Sequence, residues 1–352
     1  MEKAAFKFEY NGIPQTCEPF GNGHINKSLI IETDTGYKYV LQSISTVAFH
    51  DVPGLMENAI AVSKHIANKN PDPRASLNFI KAKDGKYYYV DENGEYWRTY
   101  EFVRNSMTIE PPTGIEEFYQ SAVAFGMFQN QLTDYPAETL CETIPHFHDT
   151  PDRYRIFREI LVKDPCGRAQ GVKNEIDFCV SREADASNLQ HMRDEKILPV
   201  RVTHNDTKIN NVLFDIDTHE PLCVIDLDTV MPGLSAFDFG DAIRFGASTA
   251  AEDEKDLDKV HLNLEMFRAF AKGFISSCPG LTEKEIEVLP LGAKTITLEN
   301  GLRFLTDYID GDHYFGITYP EHNLDRARTQ FKLVEEMEAY WAEMNKIISE
   351  ER

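Results

Sequence analysis

The sequence predicts an α+β chain of two lobes: a small β-rich N-terminal lobe over residues 1–103 and a larger, mainly helical C-terminal lobe over 104–352. Three observations predict this. Up to Val103 the apolar residues come mostly in strand-length runs punctuated by turn residues. Beyond Val103 the spacing changes to the helical period. Within the helical part, one polar loop, His204 to Asn211, leads into the short apolar strand pair Val212-Leu213-Phe214 and Val224-Ile225-Asp226. At 352 residues the chain can form two lobes with a shared cleft and a sizeable core.

The elements follow in order. Phe6 to Leu41 reads as strands around Gly21-Asn22-Gly23-His24-Ile25-Asn26. Glycines let backbone N–H groups approach a phosphate without Cβ interference, so Gly21, Asn22, Gly23 and His24 form a candidate nucleotide-covering hairpin. Two glycines alone better suit an ordinary hairpin; the later loop favours the nucleotide reading. Tyr37 to Gln42 is the next strand. Gln42 is either a neutral donor to nucleotide or a packed polar residue. Val52 to Ala67 is a helix, with Pro53 in its first turn and Pro71-Asp72-Pro73 beyond its end. Lys86 to Val90 and Glu95 to Val103 form a hairpin, where Asn93-Gly94 suggests a primed turn. Main-chain groups of Glu101, Phe102 and Val103 make a candidate adenine rim, while Tyr100 reads as core.

Helices are expected over Gly114 to Leu132, Asp152 to His191 with a break near Pro165-Cys166-Gly167, Asp256 to Lys272, Thr282 to Val288, Leu298 to Asp310 and Asp325 to Ile348. His146 and His148 with Asp149 lack further ligands nearby and read as a loop or pocket wall rather than a zinc site.

Composition sets the outer limits. A net charge of -22 argues against nucleic acid as a partner. It suits solubility, or attraction of a cationic substrate. No run is long enough to span a membrane, the first residues lack signal-peptide order, and the six cysteines form no C-x-x-C. The expectation is a cytoplasmic protein, and the absence of a heptad run suggests a monomer.

The chemistry concentrates after Arg201-Val202-Thr203. The pattern H-x-D-x-x-x-x-N, followed by a strand pair ending in Asp, is how protein-kinase-like folds build a phosphoryl-transfer centre. Asp206 is the candidate base for an acceptor hydroxyl, and Lys208 can neutralise charge developing on the transferred group. Asn211 and Asp226 are candidate Mg²⁺ ligands on the ATP phosphates; Asn210 is an alternative to Asn211, but the step from His204 favours Asn211. Asp228 lies two residues past Asp226, so on a continuing strand it shares that face and can meet acceptor hydroxyls. His204 reads as architectural, and Asp238 as a helix cap and loop brace.

His204, Asp206, Asn211 and Asp226 together resemble the aminoglycoside phosphotransferase and choline kinase superfamily. The wording of Thr203 to Lys208, Ile225 to Thr229, Phe237 to Asp241 and Arg244 to Thr249 is similar to the bacterial N-acetylhexosamine 1-kinases, nearly end to end. That resemblance implies phosphorylation of the anomeric hydroxyl of N-acetylglucosamine and N-acetylgalactosamine, with ATP and Mg²⁺. It also implies that Arg303 and Tyr314 line the sugar pocket and that Asp228 binds sugar hydroxyls. One departure stands out: protein kinases carry a phosphate-binding Lys near position 42, where this chain has Gln42. An aminoglycoside- or choline-type kinase and a catalytically silent ATP-binding scaffold remain alternatives.

Overall fold

The computed structural model describes residues 2–21, 26–109 and 114–352. The chain divides into two compact units. The first takes residues 1–108, 134–145 and 212–232; the second takes 109–133, 146–211 and 233–352.

The first unit is built on a five-stranded antiparallel sheet of β1 (Pro14–Pro19), β2 (Ser28–Thr33), β3 (Lys38–Ile44), β4 (Tyr89–Val90) and β5 (Tyr96–Glu101), in the order β1-β2-β3-β5-β4. One face closes on Ala5, Phe8, Ile31, Tyr39, Leu41 and Trp97. Helix α1 (Val52–Lys69) starts where Asp51 accepts from the Gly54 N–H, with Pro53 in the first turn. The β4–β5 connection differs from the primed turn expected. Val90 pairs with Tyr96, which leaves a five-residue loop, and of Asn93 and Gly94 only Gly94 has positive φ. A primed turn of type I′ needs both; here the Asp91 carboxylate takes the N–H groups of Asn93 and Glu95 and builds the wider loop.

A second small sheet joins β6 (Ser106–Met107), β8 (Val212–Asp215) and β9 (Pro221–Val224); β7 (Arg201–Thr203) belongs to the second unit. Strand β9 stops at Val224, so the run to Asp228 is not continuous strand. Asp226 adopts the left-handed conformation (φ 59°, ψ 58°), and Leu227–Thr229 forms a single 3₁₀ turn. Helix α1 supports this turn through Asn58, whose amide donates to the carbonyls of Val230 and Cys141.

The second unit is helical. It contains α2 (Ile115–Gln131), α3 (Thr150–Lys163), α4 (Lys173–Val180), the short α5 (Glu183–Ala186) and α6 (Asn188–Asp194), then α7 (Ser235–Gly246) and α8 (Leu264–Ser277). It ends with α9 (Glu283–Glu287), α10 (Leu289–Asp310), α11 (His322–Ala339) and α12 (Trp341–Glu350). The helix expected from Asp256 begins instead at Leu264, because Asn263 caps it by accepting from the N–H groups of Glu265 and Met266. The last expected helix is two, divided at Tyr340. Helix α10 is the axial element, buried along most of its length. One side packs on Tyr154, Phe157, Leu324 and Phe331, another on Leu189, Leu198 and Phe237. No described helix is long and apolar enough to cross a membrane.

Helices α7 and α10 approach through Gly240 and Gly292. A Cβ on Gly292 would meet the Ala236 carbonyl, and one on Gly240 would meet the Gly292 carbonyl. Backbone cannot rotate away as a side chain can, so overpacking should outweigh the gain in helix propensity. Gly292→Ala is expected to cost about 1–2 kcal/mol net and to lower the thermal midpoint measured by circular dichroism. An unchanged or raised midpoint would contradict this packing.

Candidate active site

The loop that presents Asp206 is fixed from beneath by α7. Asp238, fully buried in the first turns of that helix, accepts from the N–H of His204 (3.0 Å), the N–H of Asn205 (2.7 Å) and Gln129 Nε2 (2.7 Å). Asp241, one turn on, accepts from the Thr207 N–H at 2.9 Å. The Thr207 hydroxyl donates to the Asp238 carbonyl at 2.6 Å. Asp238 thus braces the loop but does not cap α7, whose N-cap position is Leu234. Asn205 takes a positive φ of 65°, which turns the chain between His204 and Asp206. The His204 ring is buried edge-on against Phe125 and Phe128 of α2, and its Nδ1 accepts from the Asp206 N–H at 3.3 Å. His204 is therefore an internal post of the loop.

Asp206 and Lys208 form an ion pair at 3.0 Å, and both side chains keep about a third of their surface open (29% and 35%). Asn211 donates from Nδ2 to the Asp206 carbonyl (2.8 Å) and to Asp206 Oδ2 (3.1 Å). Burial pushes the Asp206 carboxyl up, but Lys208, His204 and Asn211 outweigh it and hold it below the usual carboxylate value. The Asp206 carboxylate in turn pushes Lys208 up to about 12. The loop therefore offers an ionised base and a fixed cation at neutral pH.

The other sequence-predicted residues are distributed as follows. Asp226 is solvent-exposed at the left-handed position before the 3₁₀ turn. Asp228, expected on an open face, is 2% exposed, and its carboxylate takes Arg98 Nη1 on one oxygen and Asn26 Nδ2 (2.7 Å) on the other. Gln42 Oε1 accepts from Arg98 Nε at 3.1 Å, and Gln42 Nε2 donates to Ser28 Oγ at 3.0 Å. Gly21 has a positive φ of 73°; Asn22, Gly23 and His24 lie outside the described residues. At the rim, the N–H groups of Glu101 and Phe102 donate to the carbonyls of Asn78 and Lys38. That of Val103 takes no partner among the described residues.

Arg303 and Tyr314 meet at a recess of about 190 Å³ in the second unit, lined also by Arg153, Asp307, Asp310 and Phe315. The Arg303 guanidinium carbon lies 5.5, 5.7 and 5.3 Å from the ring centres of Phe147, Tyr314 and Phe315. Asp307 is saturated: it accepts from the N–H groups of His313, Tyr314 and Phe315 and from Asn323 Nδ2. Arg153 donates from Nη2 to the Phe147 carbonyl, while its Nε is buried with no partner among the described residues. Burial, then repulsion from Arg303, pushes the Arg153 pKa down. His148 is held behind this wall by Glu299 (2.9 Å), and His146 pairs with Asp149.

Sequence reasoning missed Arg98, Arg153 and Asp307. Arg98 left a signal: a lone charge between Trp97 and Thr99 in a hairpin strand, paired in register with the anomalous Gln42. Arg153 and Asp307 left none, since both look like ordinary helix-surface charges.

Comparison with known proteins agrees with this fold. The model of the phosphotransferase enzyme family, APH, matches residues 16–270. The aminoglycoside phosphotransferase of Alicyclobacillus acidocaldarius is a similar solved structure (TM-score 0.66, 14% identity, 98% of this chain and 95% of that one covered). A microcompartment-associated aminopropanol kinase gives 0.63 at 18% identity, covering 94% and 93%. Amicoumacin kinase hAmiN, solved with AMP-PNP and Ca²⁺, gives 0.61 at 12% identity, covering 95% and 91%.

The Asp206–Lys208 pair predicts a pH effect. Activity that needs ionised Asp206 falls as pH drops through its pKa, and Lys208 keeps that pKa low. Lys208→Met should therefore move the acid limb of the residual kcat/KM profile to higher pH, by about one unit or more. A limb that stays put or moves lower would contradict the assigned coupling. With the α+β architecture, the braced loop and a family model spanning residues 16–270 in agreement, this chain belongs to the phosphotransferase enzyme family, with the protein-kinase-like fold of its structural neighbours.

Proposed function

We propose that this protein is an ATP- and Mg²⁺-dependent kinase that phosphorylates the anomeric hydroxyl of N-acetylhexosamines, GlcNAc and GalNAc, to give the sugar 1-phosphate. The recess around Arg303 is the observation that carries the acceptor class. Its volume suits a single sugar ring. Its two guanidiniums face only one carboxylate, Asp310, that is not already saturated. The three rings that would make a cage for a quaternary amine are already approached by Arg303. These features suit a neutral, oxygen-rich acceptor better than the amines named for several relatives.

In the proposed reaction Asp206 accepts the proton of the acceptor hydroxyl as its oxygen attacks the γ-phosphorus of ATP. Lys208 stabilises negative charge on the transferred group. The N–H of Val103 suits an adenine nitrogen, and the Gly21 turn lies at the start of the candidate phosphate hairpin. Asn211 and Asp226 would hold the Mg²⁺. Their chemistry fits: the Asn211 amide nitrogen is spent on Asp206, which leaves its carboxamide oxygen for a hard cation, and Asp226 offers an exposed carboxylate. The metal, when bound, neutralises phosphate charge. Monomeric, cytoplasmic action on a small sugar, without nucleic-acid or membrane partners, completes the proposal.

The test is ATP consumption with GlcNAc, GalNAc, glucose, kanamycin and choline, with ³¹P NMR of any product. Turnover of the acetamido sugars to an anomeric phosphate is expected, and Asp206→Asn should lower it by about 10²–10⁴-fold without unfolding the protein. Turnover of kanamycin or choline alone would overturn the sugar assignment. ATP binding with no transfer to any acceptor would point to a silent scaffold.

A further inference from the structure

The first unit places a buried cation where the sequence lacks one. Ser28, Gln42 and Arg98 are partners on a single rung across β2, β3 and β5. Their side chains form a relay: Gln42 Nε2 donates to Ser28 Oγ, and Arg98 Nε donates to Gln42 Oε1. Arg98 then pairs with Asp228, both side chains being 3% exposed. The other Asp228 oxygen takes Asn26, which also accepts from the Ser45 N–H at 3.1 Å. The Asp228 carbonyl takes the Thr143 hydroxyl at 2.8 Å. Asp228 thus ties the sheet, Asn26 and the 143 segment to one 3₁₀ turn, and Asp226 opens that turn in the left-handed conformation.

We propose that the Arg98–Asp228 pair, oriented by Gln42, is the positioning device that sets the Asp226 carboxylate for its divalent cation. Arg98 serves in place of a strand lysine, but by a different route. Its Nε and Nη1 are directed to Gln42 and Asp228, and it acts through the turn. Gln42 is then no defect. A lysine there would set a second cation beside Arg98, whereas the amide accepts one guanidinium N–H and donates onward. Asp228 is likewise a positioning residue, each of its carboxylate oxygens taking one partner within the unit. The inference rests on Asp226 being a metal ligand.

Mn²⁺ binding measured by electron paramagnetic resonance, with and without ATP and with no acceptor present, separates the two ideas. Asp226→Asn tests the ligand assignment alone and should weaken Mn²⁺ binding. Arg98→Met and Asp228→Asn each leave a buried charge unpaired and can unfold the unit. The double variant R98M/D228N removes both charges and keeps the volume nearly constant. In folded protein, checked by its thermal transition, it should bind Mn²⁺ about 10–100-fold more weakly, as outer partners of metal ligands typically do. Arg98→Lys should not restore affinity, because an ammonium cannot span Gln42 and Asp228 as a fork does. Wild-type Mn²⁺ affinity in the folded double variant, with D226N weakened, would overturn the positioning role while leaving the ligand reading intact. A rise in sugar KM as the sole effect of D228N would also overturn it.

Discussion

The site depends first on one fully buried carboxylate. Asp238 takes two successive backbone N–H groups, from His204 and Asn205, inside a protein interior where each would otherwise be costly. That contact, with Asp241 on Thr207, makes the first turns of α7 the floor of the loop. Asn205 can then hold its positive φ, and Asp206 emerges beside Lys208 with Asn211 across its base. The close passage of α7 against α10 at Gly240 and Gly292 seats that floor on a helix buried along most of its length. Burial of the floor and partial exposure of the loop go together: the polar atoms below are spent so that those above are in place.

The first unit uses a buried carboxylate as well, here paired with a cation. There a buried pair, Arg98 with Asp228, fixes a turn whose exposed member is Asp226. In both units the candidate site residue sits beside a positive-φ residue or has positive φ itself, and a buried carboxyl group two or more residues away is bonded to its surroundings.

Much of this was legible in the sequence. The α+β class, helix α1 with its proline, and the loop from His204 to Asn211 all follow from spacing and turn residues, because each is set by local chemistry. The fate of Asp228 was not legible. Its expected open face assumed that strand β9 continued, and the left-handed Asp226 breaks that alternation at the residue that matters. The capping role read for Asp238 failed in the same way: the helix begins three residues earlier, so the carboxylate is free to turn toward the loop. Arg153 was hidden because its significance lies in a neighbour 150 residues away, Arg303, and in a carboxylate, Asp307, that the chain saturates with its own N–H groups. Pairings of that kind have no sequence period.

The most direct measurement is backbone hydrogen exchange across the loop in the wild-type protein and in Asp238→Asn. If α7 holds the loop as described, the amides of His204, Asn205 and Thr207 exchange slowly in the wild type. In the variant the first two should become fast while the α7 amides stay protected, and phosphoryl transfer should fall in parallel. Slow exchange at His204 and Asn205 in the folded variant, with transfer intact, would contradict the account.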